Sequence, residues 1–161
     1  MYRKEMLKRA ILIACAVLAI AICVAVITFF VHTVRLRNEF RMERMRINDV
    51  MRASDLDRCS LSHGGETIPL TRQALTYYNM YLNSSYTMVF NRKMTQPTEQ
   101  SITLTLEGGT LTLTGLEDGT AVGILWQTPS QTCCYTVRNE AQTFMQLESY
   151  FKTCKQKASA D

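Results

Sequence analysis

The chain has 161 residues, 47% of them apolar and 20% charged, with three prolines and seven glycines. That composition excludes a disordered or low-complexity polymer and leaves room for one domain plus an appendage. The net charge of +4 is uneven: residues 53–161 carry eight Lys/Arg against ten Asp/Glu, near −2, so no direct nucleic-acid binding is expected.

Residues 1–9 read as a basic cytoplasmic tail and residues 10–34 as a transmembrane helix. Ala10 to Val34 contains no Asp, Glu, Lys or Arg, and residues 11–31 hold thirteen Ile, Leu, Val or Phe with Thr28 as the single polar residue. At about 1.5 Å per residue such a run crosses a hydrocarbon core about 30 Å thick. It is longer than the apolar part of a signal peptide and lacks a clear small-x-small cleavage site, so an uncleaved anchor in the lipid bilayer is expected. Cys15 and Cys23 inside it read as small packing residues.

Orientation is contested by the flanks. Arg3, Lys4, Lys8 and Arg9 precede the span, whereas Arg35, Arg37, Arg41, Arg44, Arg46 and Arg52 follow it, which by charge alone favours a cytoplasmic C-terminal side. The cysteines argue the other way. Cys59, Cys133, Cys134 and Cys154 are an even set without CxxC spacing or companion histidines, which reads as two disulfides on an oxidising side. Neighbours Cys133 and Cys134 point to opposite faces of an extended strand, leaving two main pairings, 59–133 with 134–154 or 59–134 with 133–154. The expectation is therefore a cytoplasmic N-terminus and an external domain, periplasmic in a bacterium.

Residues 35–53 predict a juxtamembrane helix or stalk, with Leu36, Phe40, Ile47 and Val50 forming an apolar stripe that Glu43 interrupts. Residues 54–161 predict the α+β domain. Ser54 to Gly65 ends in the loop signal Ser-His-Gly-Gly. Pro69 and Thr71 then introduce a helix over 70–82, with Leu70, Ala74, Tyr78, Tyr81 and Leu82 at helical spacing. Strands follow at 86–90 and at 101–106. Gly108-Gly109 is expected to turn a hairpin at positive φ into a return strand with Leu111 and Leu113. Glu117-Asp118-Gly119 marks the next turn, before strands at 120–127 and 134–137. Asn139 with Gln142 suggests the start of a last helix whose inner side carries Phe144, Leu147, Phe151 and Cys154, with Glu140, Lys152 and Lys155 outside. The fold class is an antiparallel β-meander covered by one or two helices and stapled by disulfides.

Catalytic chemistry is sparse. No phosphate loop, GxSxG, HExxH or dinucleotide fingerprint occurs, no nucleophile–base–orienter set is visible, and neither an enzyme nor a cofactor is expected. His32 reads as an interfacial residue. His63 reads first as a solvated side chain in a Gly-rich loop and, more sharply, as a protonation sensor with Asp55, Asp57 or Glu66 as neighbours. Asn83-Ser84-Ser85 is a glycosylation sequon in form only.

A short basic head, one uncleaved span, an arginine-rich juxtamembrane helix and a small Cys-containing external domain together resemble the bitopic inner-membrane accessory proteins of ToxR-like transmembrane transcription activators. The layout is most similar to the MyfF/PsaF type associated with fimbrial regulation. The resemblance implies that the external domain binds and stabilises the external domain of a membrane-anchored activator. It also implies relay of an environmental signal, pH or a small-molecule ligand. A pilin-like or secretion-assembly subunit is the alternative, although Ala10, Ile11 and Cys15 stand where a pilin leader has its Gly and following Glu.

Overall fold

A computed structural model describes residues 2–84, 87–93, 95–116, 121–139 and 142–159, with side chains from residue 6 onward. The expected turn at 117–119, Ser85 of the sequon, Tyr86 of the first expected strand and Glu140 lie outside the described residues. The chain divides into two units, residues 1–36 and 37–161. A helix, α1 (Tyr2–Ala53), begins in the first and ends in the second.

In the first unit, residues 10–32 are helical and exposed, and the most apolar 18-residue window of α1 has a mean hydropathy of 3.2 with none of it buried. A helix this apolar on every side has no packing partner within its own unit, and it is long enough to cross a membrane.

The second unit is α+β. After the end of α1 comes a single 3-10 turn (Leu56–Arg58), then β1 (Ser60–His63), β2 (Glu66–Pro69), α2 (Arg72–Asn83) and β3 (Thr87–Asn91). β4 (Ile102–Leu106), β5 (Gly109–Gly115), β6 (Ala121–Gln127), β7 (Thr132–Asn139) and α3 (Phe144–Ala158) complete it. All pairings in the seven-stranded sheet are antiparallel, in the order β2-β1-β4-β5-β6-β7-β3. The meander expected from sequence is β4 to β7. The β1–β2 hairpin extends one side of it, and β3 adds at the other.

Register explains the core. Leu61, Leu104, Leu111, Trp126 and Cys133 stand opposite one another along the ladder, as do Ile102, Leu113, Ile124 and Tyr135. These two rows make one apolar face, and Leu61, Leu104, Leu111, Ile102 and Leu113 have no exposed surface. The other face is rich in hydroxyls, with Ser62, Thr103 and Thr112 in one row. The segment after β3 covers part of it: Thr98 N–H donates to Ser101 Oγ at 2.8 Å, Ser101 and Thr114 share a hydroxyl hydrogen bond of 2.8 Å, and Thr95 lies over Gly123. Buried hydroxyls satisfied in this way avoid the desolvation penalty of an unpartnered group.

The helices close the apolar face. The N-cap of α2 is Thr71, whose hydroxyl accepts from Ala74 N–H at 3.2 Å, and Ala74, Tyr78, Tyr81 and Leu82 are buried as their spacing predicts. In α3 the buried seam is Phe144, Leu147, Phe151 and Cys154. Its N-cap, however, is Thr143, with Gln146 Oε1 accepting from Thr143 N–H at 3.0 Å. Asn139 instead ends β7, where its Oδ1 accepts from Gln142 N–H at 3.2 Å.

Three other expectations differ from the structure. The stretch ending at Gly65, expected to close in a loop, instead supplies β1 and the turn of a hairpin from Ser60 to Pro69, because Gly64 and Gly65, at φ of 60° and 79°, adopt the turn that other residues resist. The β4–β5 turn uses Glu107-Gly108, and Gly109 pairs with Leu106 without positive φ. Gly109 is needed for another reason: a Cβ there would stand 2.6 Å from Gln127 O and 2.7 Å from the Trp126 ring. Finally, residues 37–53 of α1, expected as a juxtamembrane helix or stalk, are helical but not a free stalk. Phe40, Ile47 and Met51 are buried at 4%, 1% and 1% exposure, so this stretch is one of the helices on the sheet.

Candidate functional site

His63 ends β1, just before the Gly64-Gly65 turn, and its side chain is only 14% exposed. Its Nε2 stands 3.7 Å from Glu148 Oε1, its Nδ1 3.5 Å from Ser101 O, and its ring meets Phe151 edge-on at 5.1 Å between centroids. The ring is thus enclosed by β4 and α3 rather than solvated. Only the doubly protonated imidazolium can donate toward both acceptors. None of the three expected acidic neighbours occupies that place. Glu66 lies opposite His63 in the ladder but binds Lys155 Nζ at 2.7 Å, and Asp55 caps the 3-10 turn by accepting from Asp57 N–H. Glu148 was invisible from sequence because only the docking of α3 brings it to β1.

All six cysteines are free thiols, so the disulfide staples expected among Cys59, Cys133, Cys134 and Cys154 are not formed. Strand order gives the reason for Cys59. It directly precedes β1, whereas Cys133 and Cys134 lie on β7, four strand positions away. Four spacings of about 4.8 Å put them roughly 19 Å apart, and a disulfide requires Cα atoms within about 7 Å. Cys59 Sγ donates instead to Asp55 O at 3.1 Å. Cys133 and Cys134 do point to opposite faces: Cys133 pairs across from Trp126, and Cys134 Sγ approaches Arg92 O at 3.4 Å. Burial, then the neighbouring Glu43 carboxylate, pushes the Cys133 thiol up; burial also raises Cys154, opposed by Lys157. The inference of an oxidising compartment therefore loses its structural support.

The helix formed by residues 37–53 has two unlike flanks. At about 100° per residue, Glu39, Glu43 and Arg46 share one side and Arg37, Arg41 and Arg44 the other, with Phe40 and Ile47 between them on the sheet. On the first flank Glu39 Oε2 pairs with Arg92 at 2.7 Å. Glu43, 6% exposed, accepts from Gln131 Nε2 at 2.6 Å and from Arg46 at 3.3 Å. The residue that looked like an interruption of the apolar stripe is thus a partnered carboxylate. A cleft of about 320 Å³ lies along this flank, bounded by Met42, Arg92, Cys133 and Tyr135. Phe40 meets Tyr135 edge-on at 5.1 Å, and Arg92 lies 5.7 Å above the same ring.

Beyond Tyr135 the sheet ends in β3. Met88 and Phe90 are 43% and 50% exposed there, with the Arg138 guanidinium 5.4 Å from the Phe90 ring. A bulge between Val89 and Asn91 interrupts pairing to β7. Among the described residues no strand pairs with the outer edge of β3. The opposite edge is guarded differently, since β2 ends at Pro69 and its Glu66 is tied to Lys155. The aromatic group noted in the sequence divides: Tyr78 and Tyr81 are core, while Tyr77 stacks on Tyr150 at 4.2 Å. The arrangement offers hydrogen-bonding backbone and apolar side chains at one edge, which is the chemistry of strand addition by a protein partner. Comparison with protein-family models, with curated proteins and with solved structures finds no match.

Proposed function

We propose that the chain is a membrane-anchored, non-catalytic accessory protein whose folded unit binds the external domain of a ToxR-like membrane-bound transcription activator and stabilises it. In this reading, whose orientation rests on the resemblance in layout and not on the cysteines, residues 1–9 are cytoplasmic, residues 10–34 span the bacterial inner membrane, and the folded unit is periplasmic. The protein helps to transmit pH or a small-ligand signal to fimbrial and virulence gene expression, with His63 beside Glu148 as the candidate pH-responsive group. The observation that carries the reading is the open β3 edge, with Met88 and Phe90 exposed, in a chain that also has a helix apolar enough to anchor it. Anchoring two proteins in one membrane raises their effective concentration, so a modest edge contact suffices. A partner that binds only the folded activator protects it from proteolysis by mass action.

Co-expression of the full chain with such an activator tests this. The chain is expected to co-purify with the activator and lengthen its half-life, and Phe90→Lys is expected to abolish both. Absence of a complex with unchanged half-life would overturn the reading. Retention of both effects by Phe90→Lys would overturn β3 as the contact.

One observation favours a second reading, a pilin-like or secretion-assembly subunit: a single 52-residue helix whose distal part packs on an antiparallel sheet. Intact mass separates the two, because loss of residues 1–10 in the mature chain supports the assembly subunit and retention supports the accessory protein.

A further inference from the structure

The second flank of the α1 segment carries chemistry that the partner-binding reading does not use. Arg37, Arg41 and Arg44 lie within an arc of about 60° on the helix. Together with Thr87 and Val89 of β3 and with Phe40, they line a cleft of about 270 Å³. No acidic side chain is among the described residues that line it. The two glutamates of this stretch, Glu39 and Glu43, lie on the opposite flank and are occupied by Arg92, Arg46 and Gln131. Three guanidinium groups gathered without a counter-charge repel one another, an arrangement that favours an anion between them.

Arg44 adds a second, independent observation. Its Nη1 donates to Leu82 O at 3.3 Å, which fixes the guanidinium against the end of α2. Its Nε–H is buried and has no hydrogen-bond partner among the described residues. Burial and then the Arg41 charge hold the Arg44 guanidinium below its usual value, a shift that the opposite charge of a bound anion would oppose. The Thr87 hydroxyl on the facing wall is turned to Tyr81 O, to which it donates at 3.4 Å, so the arginines supply the donors, while Phe40 and Val89 give the cleft an apolar side. Planar, forked donors of this kind match the oxygens of a phosphate group.

We propose that the cleft bounded by Arg37, Arg41 and Arg44 of α1 and by Thr87 and Val89 of β3 is a binding site for a phosphate group, either on a phospholipid headgroup or on a soluble phosphate. The site shares β3 with the proposed partner-binding edge but uses the arginine flank of α1, and it is testable without the activator.

The test uses the full chain in neutral detergent, with thermal unfolding followed by the fluorescence of Trp126, the chain's single tryptophan. Two probes are titrated at constant ionic strength set with chloride: dihexanoyl phosphatidylglycerol and inorganic phosphate. A saturable rise in Tm is expected, with apparent affinity weakened about tenfold in Arg41→Gln, as expected for loss of one charge-assisted contact. It should be unchanged in Lys152→Gln, which removes an exposed positive charge from α3. Stabilisation by phosphatidylglycerol alone identifies a lipid headgroup, and stabilisation by both probes identifies a soluble phosphate. Arg41 is exposed, so its replacement does not threaten the fold; Arg37→Gln provides a second exposed variant. A rise in Tm no greater than that given by chloride, or an undiminished response in both arginine variants, overturns the site.

Discussion

Replacing Phe40 by Ala tests whether residues 37–53 are part of the folded unit or a solvated extension. Phe40 is 4% exposed and meets the Tyr135 ring edge-on at 5.1 Å. Phe→Ala in a packed core costs about 3–5 kcal/mol, of which the aromatic pair accounts for about 0.5–1.5 kcal/mol. Clefts lie on both sides of the helix here, one bounded by Phe40 and the other by Tyr135, so the surroundings can relax and water can enter. The lower end, about 3 kcal/mol, is therefore expected. For a folded unit of this size that corresponds to a fall in Tm of about 12 °C. The measurement is equilibrium denaturation of the full chain in detergent, followed by fluorescence of Trp126, which is 1% exposed and reports loss of the sheet core. A solvated position would cost less than about 0.5 kcal/mol. A loss that small would refute the packing of this helix on the sheet and, with it, both clefts.

Two further outcomes follow from buried groups. Tyr78 Oη donates to Leu147 O at 3.3 Å, whereas Tyr81 Oη is buried without a hydrogen-bond partner among the described residues. Tyr78→Phe should therefore destabilise by about 1 kcal/mol, and Tyr81→Phe should be neutral or stabilising in the same denaturation assay; equal losses would contradict the assigned bonding. Burial raises both phenols well above their usual range. The folded state keeps protons that the unfolded chain releases near pH 10, so stability should fall as pH rises past about 10, and less steeply in Tyr81→Phe. For the cysteines, peptide mapping without reductant should recover no crosslink from Cys59 to Cys133 or Cys134. Finding either would contradict a sheet order that places β1 and β7 four positions apart.

What the sequence made legible was local and periodic. The α3 seam of Phe144, Leu147, Phe151 and Cys154 and the α2 seam ending in Tyr81 and Leu82 could be read from helical spacing, and the alternation around Leu104 and Leu111 predicted the meander. Long-range pairing was not legible. Nothing near His63 in sequence announced Glu148, and no local pattern placed β3 beside β7 or β1 beside β4. The Ser60–Pro69 hairpin was missed because its strands are four residues each, too short for alternation to stand out from a loop. Glu43 was misread because burial of a charge depends on partners, here Gln131 and Arg46, that only tertiary structure supplies. The disulfide expectation rested on counting cysteines, while bonding depends on which strands carry them.

The late pairing of β3 also bears on how the molecule comes into being. Val89 aligns with Val137, so the strand at one edge is synthesised well before the strand that holds it. Until β7 emerges, a stretch containing Met88 and Phe90 has no native neighbour, and closing so distant a contact is slow. During that interval the nascent chain is open to mispairing with other copies, or to capture by another polypeptide that offers a compatible edge. A companion made at the same time and place could therefore act on the birth of this fold as well as on its finished surface.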